Sequence, residues 1–309
     1  MFQSLFWKNY KWIIGCAVLI RMIAVVFSQG YGMHDDHFLI IESSASWVDG
    51  FDYNLWLPWT EGNRGGPEGH SFTYVGLNYF YFAFMKAIGV VDPKLLMLFN
   101  RFLHGLFSLI IVVYGIKITE KLSNTKNAKT VGWLLALLWI IPFVSVRNLV
   151  ETSPIPFLIL GVWILIRERG MKDFLWAGIL MGMAVSFRYQ IGVFAIGIAA
   201  YYFFQWKWKP FFLFCAGVLL IFILTQGLVD YLIWGYPFAE LLAYVLYNMK
   251  EGTQYLPNQN YFMYFLVLIG STLVPLGILL FIGFFKTWKK YALLFIPTLI
   301  FILFHTLYQ

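Results

Sequence analysis

Charge is scarce in this chain. Asp, Glu, Lys and Arg make up 12% of its 309 residues, hydrophobic residues make up 61%, and the mean hydropathy is +0.73. A soluble domain carries about a quarter charged residues, so that class is excluded. Cysteine is scarcer still: Cys16 and Cys215 both fall inside apolar runs. Neither a disulfide framework nor a thiolate metal site can be built from them. No Walker-type phosphate loop and no Gly-rich dinucleotide fingerprint occurs, so nothing marks a nucleotide site. The short alternating segments of a membrane β-barrel are missing. So is any internal repeat of the kind that builds many transporters. No small-residue cleavage site follows the first apolar run, which therefore reads as a retained span.

What the chain has is apolar length. Runs that approach or exceed the roughly 20 residues needed to cross a bilayer recur along it. They predict about nine transmembrane helices, near 12–28, 95–118, 130–146, 154–166, 174–187, 191–204, 210–228, 262–285 and 291–307. Two long polar and aromatic segments interrupt them, 30–94 and 229–261. The fold class is thus an all-α polytopic membrane protein, with one domain over 1–309. Within the first long segment, Phe38, Ile41, Ala45 and Val48 recur at helical spacing and predict an amphipathic helix over 36–48.

The net charge of +7 does not point to nucleic acid. With the N-terminus inside, fourteen of the 22 Lys and Arg residues fall in inner segments and seven in outer ones. That bias sets orientation, and it puts both long segments outside the cytoplasm. Twelve of the 15 acids fall on the same outer side.

The densest polar knot is His34, Asp35, Asp36 and His37, with Glu42 close behind. Adjacent carboxylates raise one another's pKa, which favours a general base. A solvated start to the amphipathic helix explains them too, since acids are favoured there. Glu42 is open between an exposed polar-face residue and a functional one. Adjacent residues rarely point at one ion, so HDDH is not read as a metal site. Arg21 lies inside the first span, where an ionised residue marks a site or a buried partner. It is read as a structural ion pair or a phosphate contact. Arg101, with His104 one turn on, Arg147 and Arg188 fall at outer span ends, converging with Arg21 on one face. A guanidinium fork suits a phosphate, while interfacial anchoring accounts equally for Arg147 and Arg188. The abundant Trp and Tyr either stack on sugar rings or form an interfacial belt.

These motifs resemble the GT-C superfamily of integral-membrane glycosyltransferases, family 22 in particular, the polyprenyl-phosphate-mannose-dependent mannosyltransferases. That family carries His-Pro-Asp-Glu after its first span and a further Glu. His34-Asp35-Asp36-His37 and Glu42 stand in those places, with Asp36 at the position of the catalytic Asp. Arg21 and Arg101 match the arginines within span one and at the opening of span two. Arg188 alone meets an Arg-Pro-Thr motif. In the second segment Asp230, Gly235-Tyr236, Asn248, Gly252, Tyr255 and Pro257 to Tyr264 follow the family's order. The family pattern runs on beyond the place of Gln309, so a chain lacking the last spans, or a short form, is expected.

The resemblance implies an inverting transferase that moves a hexose, here mannose, from a polyprenyl-phosphate donor to a glycan or lipid-linked acceptor. Asp36 or Asp35 would be the catalytic base. Arg21, His34, His37, Glu42, Arg101, Arg188, Asp230 and Tyr255 would bind substrate. The leaving group carries a single phosphate, so no metal or other cofactor is required. Membrane lipid is a partner and nucleic acid is not. The short inner loops suggest a bacterial inner membrane, with the endoplasmic reticulum as the alternative. A transporter or flippase for a lipid-linked or polar solute is the competing reading, because arginines in spans and short broken helices fit it. A non-catalytic subunit is the third.

Overall fold

The computed structural model describes residues 2–30, 34–62, 65–250 and 263–307. Among them every regular element is helical. Within the stretch expected to form one transferase domain, the backbone clusters into two compact units. One comprises residues 1–64 and 72–169; the other comprises residues 65–71 and 170–309.

The first unit contains α1 (Phe2–Phe27), α2 (His34–Asp36), α3 (Ser43–Val48), α4 (Phe72–Ala87), α5 (Pro93–Leu122), α6 (Thr125–Leu137), α7 (Ile140–Ser145) and α8 (Ile155–Arg167). A π-helical segment, His37–Glu42, joins α2 to α3, so the expected amphipathic helix over 36–48 forms with one irregular turn. Asp92 caps α5 by accepting from the Leu95 N–H at 2.9 Å, with Pro93 in the first turn where its missing N–H costs nothing. α1 packs on α5 and α6. Tyr10, Ile13 and Ala17 meet Val112, Ile116, Ala128 and Ala136 in a core that excludes solvent.

The second unit contains α9 (Lys172–Phe187), α10 (Gly192–Phe204), α11 (Trp208–Phe222), α12 (Leu228–Trp234), α13 (Ala239–Lys250), α14 (Met263–Ser271), α15 (Val274–Lys286) and α16 (Ala292–Leu307). A second π segment, Ile223–Gly227, makes α11 and α12 one continuous rod. α9 and α11 touch backbone to backbone. A methyl at Gly178 would overlap the Phe214 carbonyl oxygen, and one at Gly217 would overlap that of Leu175. Membrane helices use small residues in this way, since lipid offers them no hydrophobic drive to associate.

Phe6–Phe27, Pro93–Leu122 and Trp208–Trp234 are long and apolar enough to cross a membrane, and a bent pair, Tyr264–Ser271 with Val274–Lys286, makes a possible fourth span. Nine were expected. Ile155–Arg167, Ile191–Phe204 and Ala292–Thr306 are apolar but only 10–17 residues long. Two segments read as single spans are each two helices. The run 130–146 breaks at Leu138, whose backbone turns extended, because Pro142 has no N–H to offer the Leu138 carbonyl. The run 262–285 bends by 114° between α14 and α15. Within the second polar segment, expected over 229–261, helix continues to Trp234.

Candidate active site

In the first unit the site grows from the helix that follows α1. Asp36 is buried, at 7% exposure, and its Oδ2 accepts the Val150 backbone N–H at 2.9 Å. Asp35 points the other way. Its side chain is 88% exposed, 3.5 Å from His34 Nδ1, and His34 packs against Phe38. His37 Nε2 lies 2.9 Å from Glu42 Oε1. The π winding explains that pair: with i→i+5 hydrogen bonds, residues five apart share a face. Glu42 therefore partners His37, and single-turn π insertions of this kind recur at functional sites.

Behind Asp36 lies a buried polar chain. Ser153 Oγ donates to the Tyr74 hydroxyl at 2.7 Å, and that hydroxyl meets His104 Nε2 at 2.7 Å. His104 Nδ1 is 2.9 Å from the Asn100 carbonyl, which can only accept. That places the proton on Nδ1 and makes Nε2 the acceptor of the Tyr74 O–H. Burial first, and the Asp36 charge with it, push the Tyr74 phenol up, so it stays protonated. Asn78 Oδ1 accepts from Asn100 Nδ2 at 3.2 Å and from Asn148 Nδ2 at 2.5 Å. This triad ties α4, α5 and the α7–α8 connection, which carries Val150, to one point. The Asn100 and Asn148 side-chain oxygens are buried with no hydrogen-bond partner among the described residues.

The arginines separate. Arg21 is fully buried and bonds to Ser108 Oγ at 2.7 Å and to the Ala17 and Leu135 carbonyls at 3.4 Å. It pins α1 to α5 and α6 through neutral oxygens, and no ion pair forms at Arg21 among the described residues. Arg101 donates from Nε to the Val25 carbonyl at 3.0 Å. Arg147 is 8% exposed, lies 3.8 Å over the Phe143 ring and donates to the Phe143 carbonyl at 2.5 Å. Its Nε is buried with no hydrogen-bond partner among the described residues. Burial, and then the Arg101 charge, push the Arg147 guanidinium down. Two cations close enough to disfavour each other gain from an anion between them. A cavity of about 230 Å³ opens alongside, lined by apolar side chains of α5, α7 and α8 with His104, Ser108 and Ser153 at its polar edge.

The second unit holds other predicted residues. Asp230 is fully buried, and its Oδ2 accepts the Glu240 backbone N–H at 3.0 Å, capping the first turn of α13. Its Oδ1 is buried with no hydrogen-bond partner among the described residues. Glu240, at 2% exposure, accepts from the Gly69 and His70 N–H groups at 2.7 and 2.9 Å and from Trp234 Nε1 at 2.8 Å. Burial pushes the Glu240 carboxyl up to about 7, against the pull of those N–H donors. Burial and the Arg188 charge push His70 down to about 4. Arg188 Nε donates to Gln190 Oε1 at 2.7 Å. Gln226 links Tyr189, Ser71 and the Ser186 carbonyl. Tyr255, with Gly252 and Pro257, lies outside the described residues.

Tyr74, the Asn78–Asn100–Asn148 triad and Glu240 were missed in the sequence. Asn and Tyr inside apolar helices were a usable signal, because such groups need partners in a membrane. Glu240 offered none beyond its charge.

A family model described as the Alg9-like mannosyltransferase family matches residues 12–309. Comparison with curated proteins and comparison with solved structures found no match.

Proposed function

The chain belongs to the Alg9-like mannosyltransferase family, and on that premise we propose that it moves mannose from a polyprenyl-phosphate donor to a hydroxyl of a glycan or lipid-linked acceptor, with Asp36 as general base. Membership makes the chain a membrane glycosyltransferase that takes a sugar donor and a glycan acceptor, and it weighs against a transporter. One observation carries the rest. Of the two candidate carboxylates, Asp36 is the buried and oriented one, and it is fastened to the connection that also bears Arg147.

The reaction is a direct displacement. The acceptor oxygen attacks the anomeric carbon as Asp36 takes its proton. The bond from that carbon to the phosphate oxygen breaks, and polyprenyl phosphate departs with the electron pair. Arg101 and Arg147 stand ready for the charge that develops on it. Attack from the face opposite the leaving group inverts the anomeric centre. The leaving group bears one phosphate, so the scheme calls on no cofactor. The apolar cavity beside His104 and Ser153 suits the first part of the lipid tail. His34, His37 and Glu42 act in this scheme by shaping the acceptor site beside Asp36. The basic bias of the inner segments supports a non-cytoplasmic site reached by a lipid-linked donor.

The test is reconstitution of the chain with polyprenyl-phosphate mannose and oligomannose acceptors. Asp36→Asn should lower transfer by about 10²–10⁴-fold, while Asp35→Asn should leave most of it. Equal activity in wild type and Asp36→Asn overturns the base assignment. A reporter fused after Trp59 should be non-cytoplasmic; a cytoplasmic result overturns the orientation.

A further inference from the structure

The segment that follows α3 is fastened to the turn that carries His37, and the transfer scheme gives it no role. Asp52 is buried, at 8% exposure, and gathers donors from both sides along the chain. Its Oδ1 accepts from Trp47 Nε1 at 3.0 Å, and its Oδ2 accepts the Leu57 N–H at 2.7 Å and the Thr60 hydroxyl at 3.0 Å. Leu55, inside this turn, holds a φ of +58°, a conformation that side chains rarely adopt. The bonds around it therefore fix a backbone that the chain would not take unaided. The residues next to Asp52 are tied as well. The Tyr53 N–H donates to Ser46 Oγ at 3.1 Å. Asn54 Nδ2 donates to Ser43 Oγ and, at 3.0 Å, to the Phe38 carbonyl, inside the π segment that pairs His37 with Glu42.

What this base holds up is a ring. Tyr53 is half exposed, and its ring lies beside that of Phe38, with centroids 6.3 Å apart and planes 20° apart. Phe38 in turn meets His37 edge to face at 5.1 Å and His34 at 4.7 Å. Tyr53, Phe38 and His37 thus form a run of touching rings that ends one residue from Asp36. A tyrosine of an interfacial belt needs only its depth in the membrane. Tyr53 has its backbone fixed on both sides and a neighbour in the active-site turn, which is the arrangement of a preorganised contact. A pyranose has a face of C–H bonds, whose positive ends suit the negative face of an aromatic ring. Tyrosine offers that face at little cost in side-chain freedom.

We propose that Tyr53 binds the acceptor: a pyranose of the acceptor glycan lies with its C–H face on the Tyr53 ring while a hydroxyl of the glycan reaches Asp36, and Asn54 positions that ring. The inference rests on the transferase reading of the Asp36 site and adds to it the residue that selects a sugar as acceptor.

The experiment reconstitutes the full chain with saturating polyprenyl-phosphate mannose and varies oligomannose. Tyr53→Ala keeps the backbone bond to Ser46 and should raise the oligomannose KM about tenfold, the loss of one central contact ring. Because that contact is the same in ground and transition states, kcat and the donor KM should stay within about twofold of wild type. Tyr53→Leu keeps apolar bulk beside Phe38 but has no ring face, and should behave as Tyr53→Ala does. Tyr53→Phe keeps the face and should match wild type. Asn54→Ala leaves the ring but frees its seat, and should raise the same KM; an unmoved KM overturns its positioning role. Trp59→Ala removes a ring of the same segment that is 68% exposed, and should leave the KM unchanged. A KM that Tyr53→Ala does not move, that Tyr53→Leu restores, or that Trp59→Ala raises as much, overturns the proposal. Equilibrium binding of oligomannose without donor is read in parallel. A chain that binds oligomannose through Tyr53 yet transfers nothing overturns the transferase reading alone, and a Tyr53→Ala chain that binds and transfers as wild type does overturns this inference alone.

Discussion

Asp36 and Val150 stand 114 positions apart and share one hydrogen bond, the Val150 N–H donating to Asp36 Oδ2 at 2.9 Å. The bond holds the helix after α1 against the connection between α7 and α8. It also separates two roles of the carboxylate, since an amide oxygen can accept the same N–H but is not a base. Asp36→Asn should therefore unfold close to the wild-type temperature while transfer collapses. Asp36→Ala removes the acceptor as well and should cost a further 1–3 kcal/mol or so. Thermal unfolding measured beside initial transfer rates checks both. An Asn variant as unstable as the Ala variant would mean that the charge, not the bond, holds this contact.

The Arg101–Arg147 pair gives a second expectation. Arg147→Lys keeps the charge but loses the planar fork and the stacking on Phe143. If the pair receives the departing phosphate, the loss appears in kcat, because the charge develops only in the transition state. Removing one such donor costs about 10²–10³-fold. Arg21→Lys, by contrast, disturbs a contact made wholly within the protein. It should lower the unfolding temperature with little change in kcat of the folded fraction. Steady-state kinetics over a range of donor concentrations separates the two. A purely KM effect for Arg147→Lys would assign that residue to ground-state binding.

The sequence made some of this visible for definite reasons. The helix over 36–48 was legible because Phe38, Ile41, Ala45 and Val48 keep helical period. The His37–Glu42 pair was not, because the ordinary 3.6-residue period does not put residues five apart together and nothing local announces a π turn. Pro142 marked the break before α7, yet the run around it is apolar enough to read as one span. Arg21 was rightly singled out as a buried charge. Its partners are a serine and two carbonyls, which no charge pattern reveals. Glu240 meets Gly69 across 171 positions, and no period or motif links them.

Glu240 and His70 titrate in opposite senses. Burial raises Glu240 from 4.5 to about 7, so the native state binds the extra proton and stability falls as pH rises through that window. His70 is lowered from 6.5 to about 4, so the unfolded state binds the extra proton and stability falls as pH drops through that window. Between about 4.5 and 6.5 the two contributions have opposite slopes. Glu240→Gln should be more acid-sensitive than wild type. His70→Gln should lose more stability than wild type toward neutral pH. Unfolding temperatures across pH 4.5–7 check this; parallel profiles for wild type and both variants would exclude the pairing.

Gly69 offers the sharpest test of how the 65–71 segment is seated. Its φ of +90° is a conformation that side chains rarely adopt, and an added Cβ would lie 2.9 Å from the Tyr244 Cα and 3.0 Å from the Tyr244 N. The opposing atoms are backbone, so nothing there can swing aside. Gly50 shares nearly the same φ, +87°, but a Cβ there meets nothing within 4 Å. Gly50→Ala therefore measures the cost of the conformation alone, and Gly69→Ala adds the collision. The excess should be about 1–3 kcal/mol, the usual cost of forcing a methyl into packed space. It should vanish if α13 is not packed against this segment, so equal unfolding temperatures for the two variants would place Tyr244 elsewhere. Glu240 makes the comparison stricter, because its bonds to the Gly69 and His70 N–H groups pull the segment toward the same helix that the methyl would push away.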